Sequence, residues 1–168
     1  RDHPDSKIFV MGCSSQIHKE MYLEIENVKA VYGTFHKDEM AQCIMEGRTP
    51  GDQVNSDFRS FTFDNLSISK GKHEARSYIK IQDGCDNFCS YCIVPYSRGR
   101  SRSRNHQSIM EEMKRLLDNG VKEIIIGGID VGSYEDPHEE KAYRLKNLLR
   151  EMAEYAPEKH FRIRVSSI

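Results

Sequence analysis

No stretch of this sequence approaches the run of about 18 apolar residues that a membrane-spanning helix requires. Nor does a basic start followed by an apolar run mark a secretory signal. A membrane-embedded role is therefore not expected, and the cytoplasm is the default compartment. An excess of charge of either sign is also missing, since 25 Lys plus Arg stand against 26 Asp plus Glu for a net charge of -1. Such a balance exerts no global pull on nucleic acid, so any site for a polyanion has to be local. Solenoid repeats and low-complexity tracts are absent, and the seven histidines are scattered without metal-ligand spacing. The five cysteines are an odd number, and three of them fall within eight positions. That is a poor pattern for a secreted disulfide framework and a better one for reduced thiols used as ligands or catalysts.

What is present suffices for a buried core: 38% of the 168 residues are apolar and 30% charged, enough for one globular domain or two small ones. "KIFVMGCSS" reads as a buried strand over Ile8 to Met11, closed by Gly12, with Cys13 just past its end. Ile17, Met21 and Ile25, four apart, predict a helix over Gln16 to Glu26; "VKAVYG" predicts a second strand and "KDEMAQCIMEG" a helix ended by Gly47. These make a βαβα unit over residues 1–47. Residues 48–76, with Pro50, two glycines and many serines, read as a boundary and linker with one short strand near "SFTF".

A second α/β region is expected over 77–168. "SYIKIQ" alternates like a strand; Ser108 and Glu111 form a capping box opening a helix with Ile109, Met113, Leu116 and Leu117 on one face, stopped by Gly120. "VKEIIIGG" is a buried strand, Leu145, Leu148, Leu149 and Met152 mark a helix ending before Pro157, and "FRIRVSSI" is the next strand. Alternating strands and helices imply a parallel sheet, whose ligand site lies at the carboxyl ends of the strands, where the cysteines, Gly127, Gly128, Ser166 and Ser167 would fall. The fold class expected is α/β. The chain opens without Met and ends inside an alternating segment, so a fragment of a longer protein is expected.

The stretch "DGCDNFCSYCIVPYSRGRSRSR" carries the chemistry. Cys85, Cys89 and Cys92 supply three thiolates, which close neither a tetrahedral zinc site nor all four irons of a cubane, leaving one metal position open unless a distant residue fills it. Structural zinc favours paired C-x-x-C units, and the uneven triplet with Phe88 and Tyr91 inside it fits iron-sulfur ligation better. A zinc knuckle completed by Cys13, Cys43 or a histidine, and three buried thiols, are the alternatives. Cys13 by itself reads as a small buried hydrophobe, and Cys43 as core.

Arg98, Arg100, Arg102 and Arg104 would project to one side of an extended segment. They suit bidentate contacts to successive phosphates, to carboxylates inside a barrel, or simply solvent. Gly127-Gly128 permits close backbone approach to a ligand, though a glycine pair is more often a turn; Ser166 and Ser167 are also ordinary loop residues. Asp130 and Tyr134 are candidates for a substrate-facing side, with a surface role equally open.

C-x-x-x-C-x-aromatic-C after the first strand resembles the radical S-adenosylmethionine (SAM) enzymes. The longer strings "IKIQDGCDNFCSYCIVPYSRGRSRSR", "GVKEIIIGGIDVGSY" and "RIRVSSI" are similar to the methylthiotransferases, closest to those acting on N6-threonylcarbamoyladenosine in tRNA. "KIFVMGCSSQ" resembles the second half of that family's N-terminal domain. The resemblance implies a Rossmann-like βαβα part of that domain, then part of a parallel (β/α) radical SAM barrel. It implies a 4Fe-4S cluster on Cys85, Cys89 and Cys92 whose fourth iron binds SAM, and an auxiliary 4Fe-4S cluster with only Cys13 in this chain. It further implies SAM contacts from Tyr91, Gly127, Gly128, Ser166 and Ser167, with Ile129 where an acidic residue is common elsewhere in the superfamily. RNA contacts would come from Arg98, Arg100, Arg102 and Arg104, and a flavodoxin or ferredoxin type reductant is expected. The implied reaction adds a methylthio group to C2 of the modified adenosine beside the anticodon. Sister enzymes acting on isopentenyladenosine tRNA or a ribosomal protein aspartate, and a zinc-dependent RNA-binding module without catalysis, are the competing readings.

Overall fold

The computed structural model describes residues 3, 5–49, 51, 53–54, 63, 75–139, 141–155 and 160–166. In chain order the elements are β1 (Ile8–Met11), α1 (Cys13–Ile17), α2 (Lys19–Leu23), β2 (Val28–Tyr32), α3 (Lys37–Met45), β3 (Arg76–Lys80), β4 (Gln82–Asp83), α4 (Val94–Arg98), β5 (Arg102–Ser103), α5 (His106–Asp118), β6 (Glu123–Gly127), a 3-10 turn (Val131–Ser133), α6 (Leu145–Glu154) and β7 (Arg162–Val165). They form two compact units, Arg1–Phe61 with Asn87–Gly99, and Thr62–Asp86 with Arg100–Ile168. Residues 87–99, which follow the first strand of the second α/β region, thus cluster with the first unit. Among the described residues no helix is long and apolar enough to cross a membrane.

In the first unit β1 and β2 pair in parallel, with Phe9 opposite Ala30 and Met11 opposite Tyr32. Ala30, Tyr32 and Met40 form its buried cluster, with Phe9 against it. The single helix expected over Gln16 to Glu26 is instead two short ones, broken at His18 with φ -125° and ψ 50°. The apolar period does not dock it, since Met21 and Ile25 are 53% and 49% exposed. Polar side chains do. Ser15 Oγ donates to Gly12 O at 3.0 Å and to Tyr32 O at 2.6 Å, and Gln16 Oε1 accepts from Thr34 N at 3.1 Å. These bonds hold α1 to the carboxyl end of β2. Gln53, inside the expected linker, bridges Tyr32 in parallel. The expected strand near "SFTF" lies outside the described residues, apart from Phe63. Cys43 is partly exposed rather than core.

The second unit is a three-stranded parallel sheet in the order β3-β6-β7, as an α/β chain with helical crossovers should give. Tyr78 lies opposite Ile125 and Ile126 opposite Val165. Ile79, Ile109, Met113, Leu116, Ile124, Ile126, Leu148 and Met152 make its core, each fully buried aliphatic contributing about 1.5–3 kcal/mol. The start of α5 corrects the sequence reading. Asn105, not Ser108, is the cap: its side chain accepts from Ser108 N at 3.1 Å. At the other end Gly120, at φ +90°, and Val121 return their amides to Leu117 O and Leu116 O at 3.0 and 3.1 Å, closing the helix as expected.

Candidate metal centre and cofactor site

The register of the second unit brings Lys80 opposite Gly127, and Ser166 N bonds Ile126 O at 2.9 Å. Gly127 and Ser166 are therefore neighbours at the carboxyl end of the sheet; a Cβ on Gly127 would lie 3.8 Å from Ser166 Oγ. Ser167 lies outside the described residues. Gly128 is set against Gln82: a Cβ there would stand 3.0 Å from Gln82 Oε1 and 3.1 Å from its backbone O. Only glycine fits that approach without displacement.

Directly beyond β3 two polar residues turn inside. Gln82 and Asp83 pair with Ser103 and Arg102 of β5 in antiparallel register, and both are buried. Asp83 accepts from Lys80 Nζ at 2.6 Å and Arg102 at 2.8 Å through one oxygen, and from Gly84 N at 3.0 Å through the other. These bonds brace the backbone leading into Cys85, itself buried. Asp86 then pairs with the exposed Arg100 at 3.3 Å.

In the first unit Cys92 N donates to Cys89 O at 2.9 Å, a turn that draws these two positions together. Phe88, in the left-handed region at φ 47°, sets its ring edge-on to Tyr96 at 5.7 Å. Cys89 is exposed, Cys92 half-buried and Tyr91 90% exposed. Cys13 opens α1, and Arg98 Nε donates to its sulfur at 3.2 Å. Thr34 Oγ1 donates to Ser97 O at 2.7 Å, so α4 is tied to the same strand-end loop that carries Cys13.

All five cysteines are free of disulfides. Among the described residues no three His, Cys, Asp or Glu side chains are gathered as a metal cage. By chemistry the donor set fits an iron-sulfur cluster: three unoxidised soft thiols within eight positions, with a braced root at Gly84.

The segment is not extended throughout, and Arg100, Arg102 and Arg104 are exposed, half-buried and buried in turn. Arg98 closes α4, while Arg102 lies in β5 against Asp83. Arg104 is buried in an ion pair with Glu112, their side chains 3% and 2% exposed. Its guanidinium also reaches Ser108 Oγ at 2.9 Å, so carboxylate pairing inside the fold is what Arg102 and Arg104 do. Tyr134, a candidate for the substrate side, is buried and donates to Arg104 O at 2.9 Å. Burial pushes its phenol up, with the Asp136 carboxylate adding to the effect. Asp130 is half-buried, and its amide bonds Gln82.

Sequence reasoning passed over Gln82, Asp83 and the group around His106. His106 Nδ1 lies 2.8 Å from Asp136 Oδ2, and its ring stacks on Tyr143 at 4.4 Å. Burial opposes the charge on Asp136, but the amides of His106 and His138, with the His106 ring, hold its carboxyl below the usual range. The signal available was the pair of polar residues, Gln82 and Asp83, between an apolar strand and Gly84. A histidine beside a helix cap carries no comparable signal.

The family model described as the Radical SAM superfamily matches residues 79–168. The threonylcarbamoyladenosine tRNA methylthiotransferase MtaB of Bacillus subtilis (strain 168) is 34% identical over 171 residues, covering 100% of this chain and 37% of that protein. The MtaB protein of Chlamydia pneumoniae is 35% identical over 136 residues, 81% of this chain and 30% of its own length. The tRNA-2-methylthio-N(6)-dimethylallyladenosine synthase of Clostridioides difficile (strain 630) is 37% identical over 142 residues, 79% of this chain and 28% of that protein. This chain thus spans about a third of the length of these curated relatives. The family implies a 4Fe-4S cluster and SAM. With a three-stranded parallel sheet, a C-x-x-x-C-x-x-C triplet in the sequence soon after its first strand and a family match over more than half of its residues, the chain belongs to the Radical SAM superfamily.

Proposed function

We propose that this chain is part of a methylthiotransferase that adds a methylthio group to C2 of N6-threonylcarbamoyladenosine in tRNA. The observation that carries the proposal is the cysteine triplet, whose first member follows a braced strand end beside Gly127 and Gly128. The similarity to two MtaB proteins supports it. Cys85, Cys89 and Cys92 would hold three irons of a cluster and leave the fourth to SAM. When bound, the reduced cluster and SAM supply the one-electron chemistry that removes hydrogen from an unactivated aromatic carbon, which no acid or base here can do.

The chain's own residues would bind and orient. Gly127 and Gly128 offer backbone without side chains, Ser166 and Ser167 offer hydroxyls, and the exposed ring of Tyr91 offers a stacking face. Cys13 would ligate a second, auxiliary cluster. Arg100 and Arg98 are the arginines that would meet tRNA phosphates; the buried ion pair of Arg104 leaves it out of that role. A flavodoxin or ferredoxin type protein would deliver the electron, and the target base would leave the stack to reach the site.

The dimethylallyladenosine branch is the second reading, favoured by relatives such as the C. difficile synthase. Anaerobic reconstitution of the full-length protein, iron and sulfide analysis, and assay for 5'-deoxyadenosine and for methylthiolation of the two tRNA substrates test both. Cys89→Ala should abolish 5'-deoxyadenosine formation. A colourless protein with stoichiometric zinc and no SAM cleavage would mean a zinc-dependent RNA-binding module instead, and the proposal would fail.

A further inference from the structure

We propose that Gln82 is a positioning residue that couples the root of the cysteine loop to the strand end carrying Gly127 and Gly128, so that the two parts of the SAM site keep one spacing. The inference rests on the functional reading above and adds to it a residue outside the cysteine and glycine motifs. Gln82 is fully buried, and its amide is used at both ends. Oε1 accepts from Ile129 N at 2.9 Å and Asp130 N at 2.8 Å. Nε2 donates to Gly84 O at 2.7 Å, Asp83 O at 3.0 Å and Ser101 Oγ at 3.0 Å.

The two sets of partners matter by position. Ile129 and Asp130 are the residues directly after the glycine pair, and Gly84 is the last before Cys85. A side-chain amide presents an acceptor and donors from one planar group, whereas a carboxylate accepts only and an ammonium donates only. Asp83 makes the contrast: its carboxylate gathers Lys80, Arg102 and Gly84. Those bonds brace the loop root from its own side of the sheet. Gln82 ties that root to β6, and the glycine at 128 leaves room for the tie, since a Cβ would stand 3.0 Å from Oε1.

The two halves of the amide can be separated. In the full-length protein, Gln82→Glu keeps acceptors for Ile129 and Asp130 and removes the donors to Gly84. The reconstituted variant should hold as much iron as wild type, bind SAM about tenfold or more weakly, and lose much of the change that SAM makes in the reduced cluster's electron paramagnetic resonance spectrum. Iron content, SAM affinity within about twofold and an unchanged spectral response would overturn the proposal. Should Gln82→Glu not fold, Gln82→Met removes both halves of the amide at similar volume and carries the same expectation and the same refutation. Hydrogen exchange on protein without a cluster reads the bonds themselves: the Ile129 and Asp130 amides should exchange about tenfold or more faster in Gln82→Met. Equal exchange sinks the coupling role, whereas a wild-type protein that takes up neither iron nor SAM sinks the functional reading instead.

Discussion

Replacing Glu112 with leucine is expected to destabilise the sheet unit by about 3 kcal/mol. Arg104 and Glu112 are 3% and 2% exposed, so neither charge has water to fall back on. Loss of one partner from a buried pair costs about 3–5 kcal/mol, because the other is left as an uncompensated interior charge. Arg104 keeps its Nε and NH2 bonds to Ser108 Oγ at 3.2 and 2.9 Å and the NH2 contact to Ser108 O at 3.3 Å. Those bonds put the cost at the lower end of the range. For a chain of this size about 1 kcal/mol moves the melting midpoint by roughly 2–4 °C, so a fall of about 6–12 °C should appear by calorimetry. The double variant Arg104→Met with Glu112→Leu removes both charges and should recover to within about 1 kcal/mol of wild type. A midpoint lowered by less than about 2 °C in Glu112→Leu, or a double variant no better than the single, would refute the reasoning.

Arg100, exposed and paired with Asp86 at the surface, is expected to touch phosphate where Arg104 does not. Arg100→Met should lower the slope of log binding constant against log salt for tRNA by about 0.7–0.9, and Arg104→Met should leave it unchanged. Asp136 has its carboxyl held below the usual range by hydrogen bonds that outweigh burial. Its contribution to stability is present above the unfolded carboxyl value of about 3.9 and lost as pH falls through the lower folded value. Asp136→Asn should therefore flatten the acid side of a plot of melting midpoint against pH, and an unchanged slope would count against the assignment. Asn105→Ala removes the cap of α5 and should cost about 1 kcal/mol in denaturant unfolding, and an unchanged unfolding midpoint would count against that cap.

Much of the fold was legible because its signals are local. Runs such as "IIIG" and the spaced leucines of α6 depend on neighbours a few residues away, and each became the element expected. Where the reading missed, long-range polar bonds had overruled the local pattern. Ile17, Met21 and Ile25 promised a docked helix, yet Ser15 and Gln16 dock α1 to the strand end through Tyr32 O and Thr34 N. Ser108 and Glu111 matched a capping box, yet the helix starts at His106 and the Asn105 side chain takes the amide of Ser108 itself.

The spacing of Cys85, Cys89 and Cys92 is a covalent fact that no packing alters, so it is legible before any fold is known. The parallel α/β class is legible as well, because periodicity and turn residues act within each segment. Which polar residues are committed inside is settled by folding. Arg102 meets Asp83 and Arg104 meets Glu112, while the Gln82 amide finds partners up to 48 residues away. Buried charges and amides are held by partners distant in the chain, and a linear pattern carries no record of which partner the fold will bring.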